Sequence, residues 1–178
     1  MGRLPRGQQE TAHSRASIRR IAPYDGVLLE VRLLGELQAR AGGQVLPPPA
    51  HPQGHTLLAW LALHPGEHER GPIAALLWPD LPRANARTAL RSAAWALRRM
   101  LGRDEGLVLD GRETLGLRCA TDVQRFEQLA AAGDLAAALA LCRGELLAGF
   151  EPAPAWVLAA RAEHAARVGA VRAQLGAR

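Results

Sequence analysis

The residue pattern predicts an α+β chain, with short strands and helices mixed in its first half and helices alone in its second. Three observations carry this. The stretch Leu81–Arg103 holds six arginines and no acid, and its apolar residues recur at helical spacing. Behind it, Asp110-Gly111 stands between two apolar alternations, a strong short-range hairpin signal. From Asp122 onward the apolar positions again follow a helical period. Of the 178 residues 48% are hydrophobic but only 4% aromatic, with Ala and Leu dominant. That composition suits helices packed through small residues better than a β-sandwich.

Taken in order, residues 1–26 carry Arg3, Arg6, Arg15, Arg19 and Arg20 against Glu10 and Asp25, with few apolar residues and no period. They read as a disordered basic arm. Val27–Leu34 alternates around Glu30 and Arg32 as a strand does, and Gly35 interrupts it. Glu36–Arg40 alternates again before the Gly42-Gly43 turn signal, and Gln44–Leu46 pairs back. The expectation is a small antiparallel sheet, ended by Pro47-Pro48-Pro49 because proline cannot donate to a ladder. A helix over Pro52–Leu63 carries Leu57, Leu58, Leu61 and Ala62 as its apolar stripe, with Trp60 alongside, and His64-Pro65-Gly66 stops it. Gly71-Pro72 opens a second helix, filled by Ile73, Ala74, Leu76, Leu77 and Trp78 and ended by Pro79. Trp60 and Trp78 are expected in the core.

The arginine helix comes third, over about 83–101. At 100° per residue, Ala86, Ala89, Leu90, Ala93, Leu97, Met100 and Leu101 share one arc. Arg83, Arg87, Arg91 and Arg98 flank it, and Thr88, Ser92, Trp95 and Arg99 continue round the far side. Two readings stand: a solvated helix, or one that faces a polyanion. All 22 basic residues of the chain are arginine, so arginine richness alone says little. The missing acids say more, because a solvated helix interleaves both signs to gain i,i+4 pairs. Trp95 either stacks on a sugar or partner, or is packed by a neighbouring segment; for a large aromatic in a small domain, packing is the expectation.

Two strands, Leu107–Leu109 and Thr114–Leu117, complete the hairpin, with Arg112 at its tip. Helix, helix, basic helix and hairpin in that order make a winged helix-turn-helix. In that architecture the third helix lies in the major groove and the wing, here about 107–118, meets the adjacent backbone. After Asp122, Val123, Phe126, Leu129 and Ala130 line a helix. Gly133-Asp134 makes a stop and a new N-cap, and Leu135, Ala138, Leu139 and Cys142 line the next helix, which ends at Gly144. Leu146–Phe150 with Pro152 and Pro154 forms an apolar loop, and an alanine-rich helix runs over about 155–175. The domains expected are therefore the arm (1–26), a winged-helix domain (27–120) and a small all-α, tetratricopeptide-like helical domain (121–178).

Charge and chemistry narrow the function. A net charge of +5 and an isoelectric point near 10.8 permit polyanion binding. Cys119 and Cys142 suggest no disulfide framework; two reduced, partly buried thiols are the default and a redox pair the alternative. No apolar run reaches the ~18 residues of a membrane span and no signal-peptide pattern opens the chain, so a soluble, cytoplasmic, nucleoid-associated protein is expected. His51 and His55 stand at i,i+4, and His64, Glu67 and His68 cluster in a turn, but neither set has a third ligand at a recognised metal spacing. A glycine-rich phosphate loop, a nucleophile elbow and a supported carboxylate pair are all missing. No enzyme, metal, cofactor or small-molecule ligand is expected.

The ordered series of segments is similar to a known family. Leu63-His64-Pro65-Gly66 with Ala75-Leu76-Leu77-Trp78-Pro79-Asp80 resembles the first two helices of an OmpR/PhoB-type winged-helix DNA-binding domain. Ala86-Arg87, Leu90 and Leu97-Arg98-Arg99-Met100-Leu101-Gly102 resemble its recognition helix. Asp122–Glu127, Arg143–Phe150 and Trp156–Arg161 resemble the bacterial transcriptional activator domain joined to it in the antibiotic-regulatory-protein (SARP) family. The likeness spans about 28–175. It departs from the usual pattern at Trp95-Ala96 and at Glu113-Thr114 in the wing, and has about three activator helices where the family has more, as a truncated chain or a retained stub would. It implies a bacterial transcription regulator bound to double-stranded DNA as a homodimer on repeated sites, with RNA polymerase as a further partner.

The site residues expected to meet DNA are Arg83, Arg87, Thr88, Arg91, Ser92, Trp95, Arg98, Arg99 and, on the wing, Arg112, a candidate for a phosphate or minor-groove contact whose alternative is a plain exposed turn arginine. Wheel position favours Thr88, Arg91, Ser92 and Trp95 for the groove, while Arg98 and Arg99 suit the backbone equally. Arginine either grips phosphate or reads guanine O6 and N7 as a bidentate pair. The alternative from another class is a protein-interaction module, in which the helical half and the Leu146–Phe150 loop dock a partner and the winged helix no longer reads DNA.

Overall fold

The computed structural model describes residues 29–102 and 107–177. The basic arm expected over 1–26 lies outside the described residues, as do Val27, Leu28 and Arg103. Among the described residues the elements run β1 (Leu29–Arg32), β2 (Gln38–Ala41), β3 (Gln44–Val45), α1 (Pro52–Leu63), β4 (Gly66–Glu69), α2 (Arg70–Leu77), α3 (Arg83–Leu101), β5 (Val108–Asp110), β6 (Thr114–Leu117), β7 (Ala120–Thr121), α4 (Asp122–Ala131), α5 (Leu135–Ala140) and α6 (Ala155–Gly176).

The first sheet has the order β3-β2-β1-β7. Leu29 and Val31 point into the core while Glu30 faces out, as the alternation demands. β2 and β3 pair antiparallel as expected, but β7 lies parallel to β1, with Glu30 opposite Ala120. The sheet is therefore mixed, not antiparallel. Two residues of β7 show no period, so only their distant partner marks them as a strand.

α1 begins with Pro52 after His51, whose ring accepts the Gln53 amide at 3.3 Å. Its close approach to α3 depends on Gly54: a Cβ there would lie 2.8 Å from Pro49 Cβ and 3.1 Å from Ala96 Cβ. Beyond Leu63 the chain bends at His64 and then, from Gly66, forms β4, antiparallel to β6, with Glu67 opposite Gly116 and His68 opposite Leu115. This corrects the expected turn cluster of His64, Glu67 and His68. A Gly-Glu-His-Glu strand carries no apolar alternation, and its pairing comes from β6. Gly116 lies against the Gly66 carbonyl so closely that any Cβ would collide with it. His64 instead stacks on Trp60 at 4.4 Å, and His68 meets the same indole edge-on at 4.9 Å. Trp60 is buried and Trp78 half-buried.

α1 and α2 both pack on α3. The expected arc of α3 is buried except Met100, which is half-exposed, and Ala94 and Ala96 widen it. Leu90 and Leu97 are fully enclosed, each contributing about 1.5–3 kcal/mol of hydrophobic stabilisation. The second sheet, order β4-β6-β5, places the β5–β6 hairpin beside the helices. The arrangement fits a winged helix-turn-helix followed by a helical half.

α4 opens with a reciprocal capping box between Thr121 and Gln124. The Asp122 carboxylate accepts the backbone amides of Leu33 at 2.8 Å and Leu34 at 3.1 Å, tying the helical half to the end of β1. Asp134 caps α5 as expected, but α5 ends at Ala140, short of Gly144. The loop after it runs alongside the first sheet: Leu147 donates to Leu33 O, Gly35 to Glu145 O and Ala148 to Gly35 O. Arg161 of α6 donates to the carbonyls of Leu146 and Leu147, both at 2.9 Å. Leu146 and Leu147 are buried and Phe150 stacks on His55 at 5.0 Å, so this apolar loop is spent on internal packing. Cys119 and Cys142 are both free; burial pushes the Cys119 thiol up to about 12. Among the described residues no helix is long and apolar enough to cross a membrane.

Candidate nucleic-acid interface

α3 presents its polar face to solvent along its whole length of 19 residues, about 28 Å at 1.5 Å per residue. Arg83, Arg87, Thr88, Arg91, Ser92, Trp95, Arg98 and Arg99 are all exposed, and the face contains no acid. Its first turn also lacks one, and Pro82 supplies no side-chain cap. The positive end of the helix dipole thus stands uncompensated beside two guanidiniums, an arrangement that favours an anion.

Local bonds order this face. The Thr88 hydroxyl donates to Ala84 O at 3.1 Å and accepts from Arg91 Nη2 at 3.0 Å, so Arg91 is held along the helix toward its N-terminus. Trp95 is 57% exposed, which corrects the expectation that a neighbouring segment packs it. Among the described residues no element covers this side of α3, and the indole's ring partner there is the Arg99 guanidinium, 4.9 Å from the ring centroid. Such a contact is worth about 0.5–1 kcal/mol at an exposed site, enough to bias the two side chains toward each other. Arg83 and Arg87 line an open groove of about 530 Å³ between α2 and α3, with Trp78 and Leu81 on its walls.

Arg98 behaves differently. Its Nε donates to Ala94 O at 3.4 Å, and its Nη1 pairs with Asp110 at the end of β5. The second Asp110 oxygen pairs with Arg70, the first residue of α2. Arg70 also donates through Nε to Gly111 O at 3.2 Å and through its backbone amide to Glu113 O at 3.0 Å. Partial burial, then the neighbouring Arg98 charge, pulls the Arg70 pKa below its ordinary value. Arg112, at the exposed hairpin tip, lies between the residues that Arg70 grips. The structure thus joins Arg98 to the wing and leaves the other sequence-predicted arginines free of acids among the described residues. Arg70 and Asp110 were not anticipated; the sequence signal for them was an acid opening the hairpin turn behind an acid-free helix.

His51, His55, His64 and His68 are engaged in a helix cap or ring packing, as described above. Among the described residues no group of three or more His, Cys, Asp or Glu side chains is placed to hold a metal ion.

No protein-family model matches the sequence, and no curated protein matches it. Among solved structures, the fold is similar to that of Mycobacterium tuberculosis EmbR, determined in complex with a low affinity phosphopeptide. The TM-score is 0.69 at 23% sequence identity, over 82% of this chain and 44% of that one. This chain thus spans less than half the length of the protein it resembles.

Proposed function

We propose that the protein is a sequence-specific, double-stranded-DNA-binding transcription regulator. The observation that carries this is the exposed, acid-free face of α3, set third in a helix series with a hairpin held against its last turn. The fold likeness to EmbR, a SARP-family regulator with an OmpR-like winged-helix domain, supports it. In this reading α3 enters the major groove with Thr88, Arg91, Ser92 and Trp95 toward the bases. Arg83, Arg87 and Arg99 grip phosphates and Arg112 meets the backbone beside the groove. Residues 27–120 form the DNA-binding half and 121–178 the helical, activator-like half. Pairing of two copies on repeated sites and contact with RNA polymerase belong to the same reading.

Each good bidentate base contact is worth about 1–3 kcal/mol of discrimination, whereas phosphate contacts set affinity and salt dependence. The test is recovery of genomic fragments by the wild type and by Arg91→Ala. The reading expects a shared motif among wild-type fragments and a relaxed one for the variant. Fragments without a motif, or an identical motif and affinity for both proteins, would refute it.

A further inference from the structure

We propose that Arg70, Asp110 and Arg98 form a clamp that sets the wing tip against the recognition helix, and that the DNA contact of Arg112 depends on it. The inference rests on the DNA-binding reading above and assigns positioning residues to the same site.

Asp110 ends β5 and immediately precedes the turn that bears Arg112. Both of its carboxylate oxygens are taken, one by a guanidinium from α2 and the other by one from α3. Arg70 adds the Gly111 and Glu113 carbonyls, so it holds the chain on both sides of Arg112 at three points. Thr114 Oγ1 donates to Glu67 Oε2 at 2.7 Å and secures the far arm of the turn to β4. A three-residue strand in a short hairpin is marginal by itself. What orients this tip is the clamp.

Exposure shows which groups are built in. The Arg70 and Asp110 side chains are 18% and 23% exposed, against 48% for Arg98. Arg70 is half of a rigid joint, and Arg98 is the side from which α3 reaches it. Two arginines on one carboxylate leave a net positive charge, so the clamp does not oppose an approaching phosphate. It fixes Arg112 at a set distance from the α3 reading face before DNA arrives, and a preorganised contact costs less ordering on binding. Arg98 thereby serves the wing and not the groove.

The experiment is a double-mutant cycle on a duplex fragment recovered by the wild type, read by fluorescence anisotropy across a salt series. The proteins are wild type, Arg112→Ala, Asp110→Asn and the double variant. Losing one phosphate contact lowers the slope of log Kobs against log salt by about 0.9. The clamp predicts that loss for Arg112→Ala in the wild-type background, and only a small fraction of it in the Asp110→Asn background. Generic charge effects of Asp110→Asn cancel in this comparison. Arg70→Lys, which keeps the charge but not the fork, should uncouple Arg112 in the same way and carries the test if Asp110→Asn unfolds. An Arg112→Ala loss of equal size in all backgrounds, or none in the wild type, would overturn the clamp while leaving DNA binding intact. A wild type that binds no duplex overturns the DNA-binding reading and the clamp with it.

Discussion

Replacing Asp122 tests the joint between the two halves of the chain. Its carboxylate, only 7% exposed, accepts the amides of Leu33 and Leu34, residues 0% and 2% exposed. Asp122→Ala leaves both donors in a dry environment with no acceptor, at about 1–3 kcal/mol each. It also removes an acid from the first turn of α4, worth about 0.3–1 kcal/mol through the helix dipole. Arg143, 3.9 Å away and half-exposed, adds little. With partial relaxation around the cavity the loss is about 3–4 kcal/mol, or about 10 °C in melting temperature for a chain of this size. Asp122→Asn keeps one carbonyl acceptor and should lose about half as much. Urea unfolding followed by circular dichroism measures both. A loss below about 1 kcal/mol for Asp122→Ala, or equal losses for the two variants, would refute the reasoning.

Other expectations follow from single contacts. Trp95→Ala should leave stability within about 0.5 kcal/mol, since the indole is exposed, yet weaken duplex binding; a cooperative loss of stability on urea titration would mean that the ring is packed. Gly116→Val should destabilise by about 1–3 kcal/mol or more, because its Cβ meets the Gly66 carbonyl across β4 and β6; thermal melts unchanged from wild type would contradict that pairing. His164, buried against Phe126 at 5.1 Å, has its pKa lowered first by burial and then by Arg167. Its neutral form is the folded one, so its contribution to stability is present above its ordinary 6.5 and is lost as pH falls through the lower folded value. His164→Phe should flatten the acid side of the stability profile between pH 7 and 5, and an unaltered profile would assign that dependence elsewhere.

How far the sequence speaks depends on whether the signal is local. α1, the 83–101 helix and the hairpin strands follow from period, proline placement and Asp-Gly, all readable within a dozen residues. β4 and β7 do not, because a polar strand or one of two residues takes its conformation from a partner far along the chain. The site divides along the same line. The exposed arginines of α3 were legible from the helical wheel, and so was Arg112 from its turn. The ion pairs of Asp110 were not, since they join three elements that only the fold brings together. Trp95 was misjudged because a size-based expectation of packing takes no account of whether any segment crosses that side of α3. Arg98 looked like Arg91 on the wheel, and only the position of β5 separates them.

The proposed function turns on the face of α3 centred on Arg91, which in that reading recognises DNA sequence. The most direct measurement is selection of random duplexes by the wild type and by Arg91→Ala at fixed salt, with sequencing of the bound pool. The expected outcome is an enriched motif for the wild type, with loss of preference at one or two positions for the variant. A bound pool without enrichment, or the same motif from both proteins, would contradict it.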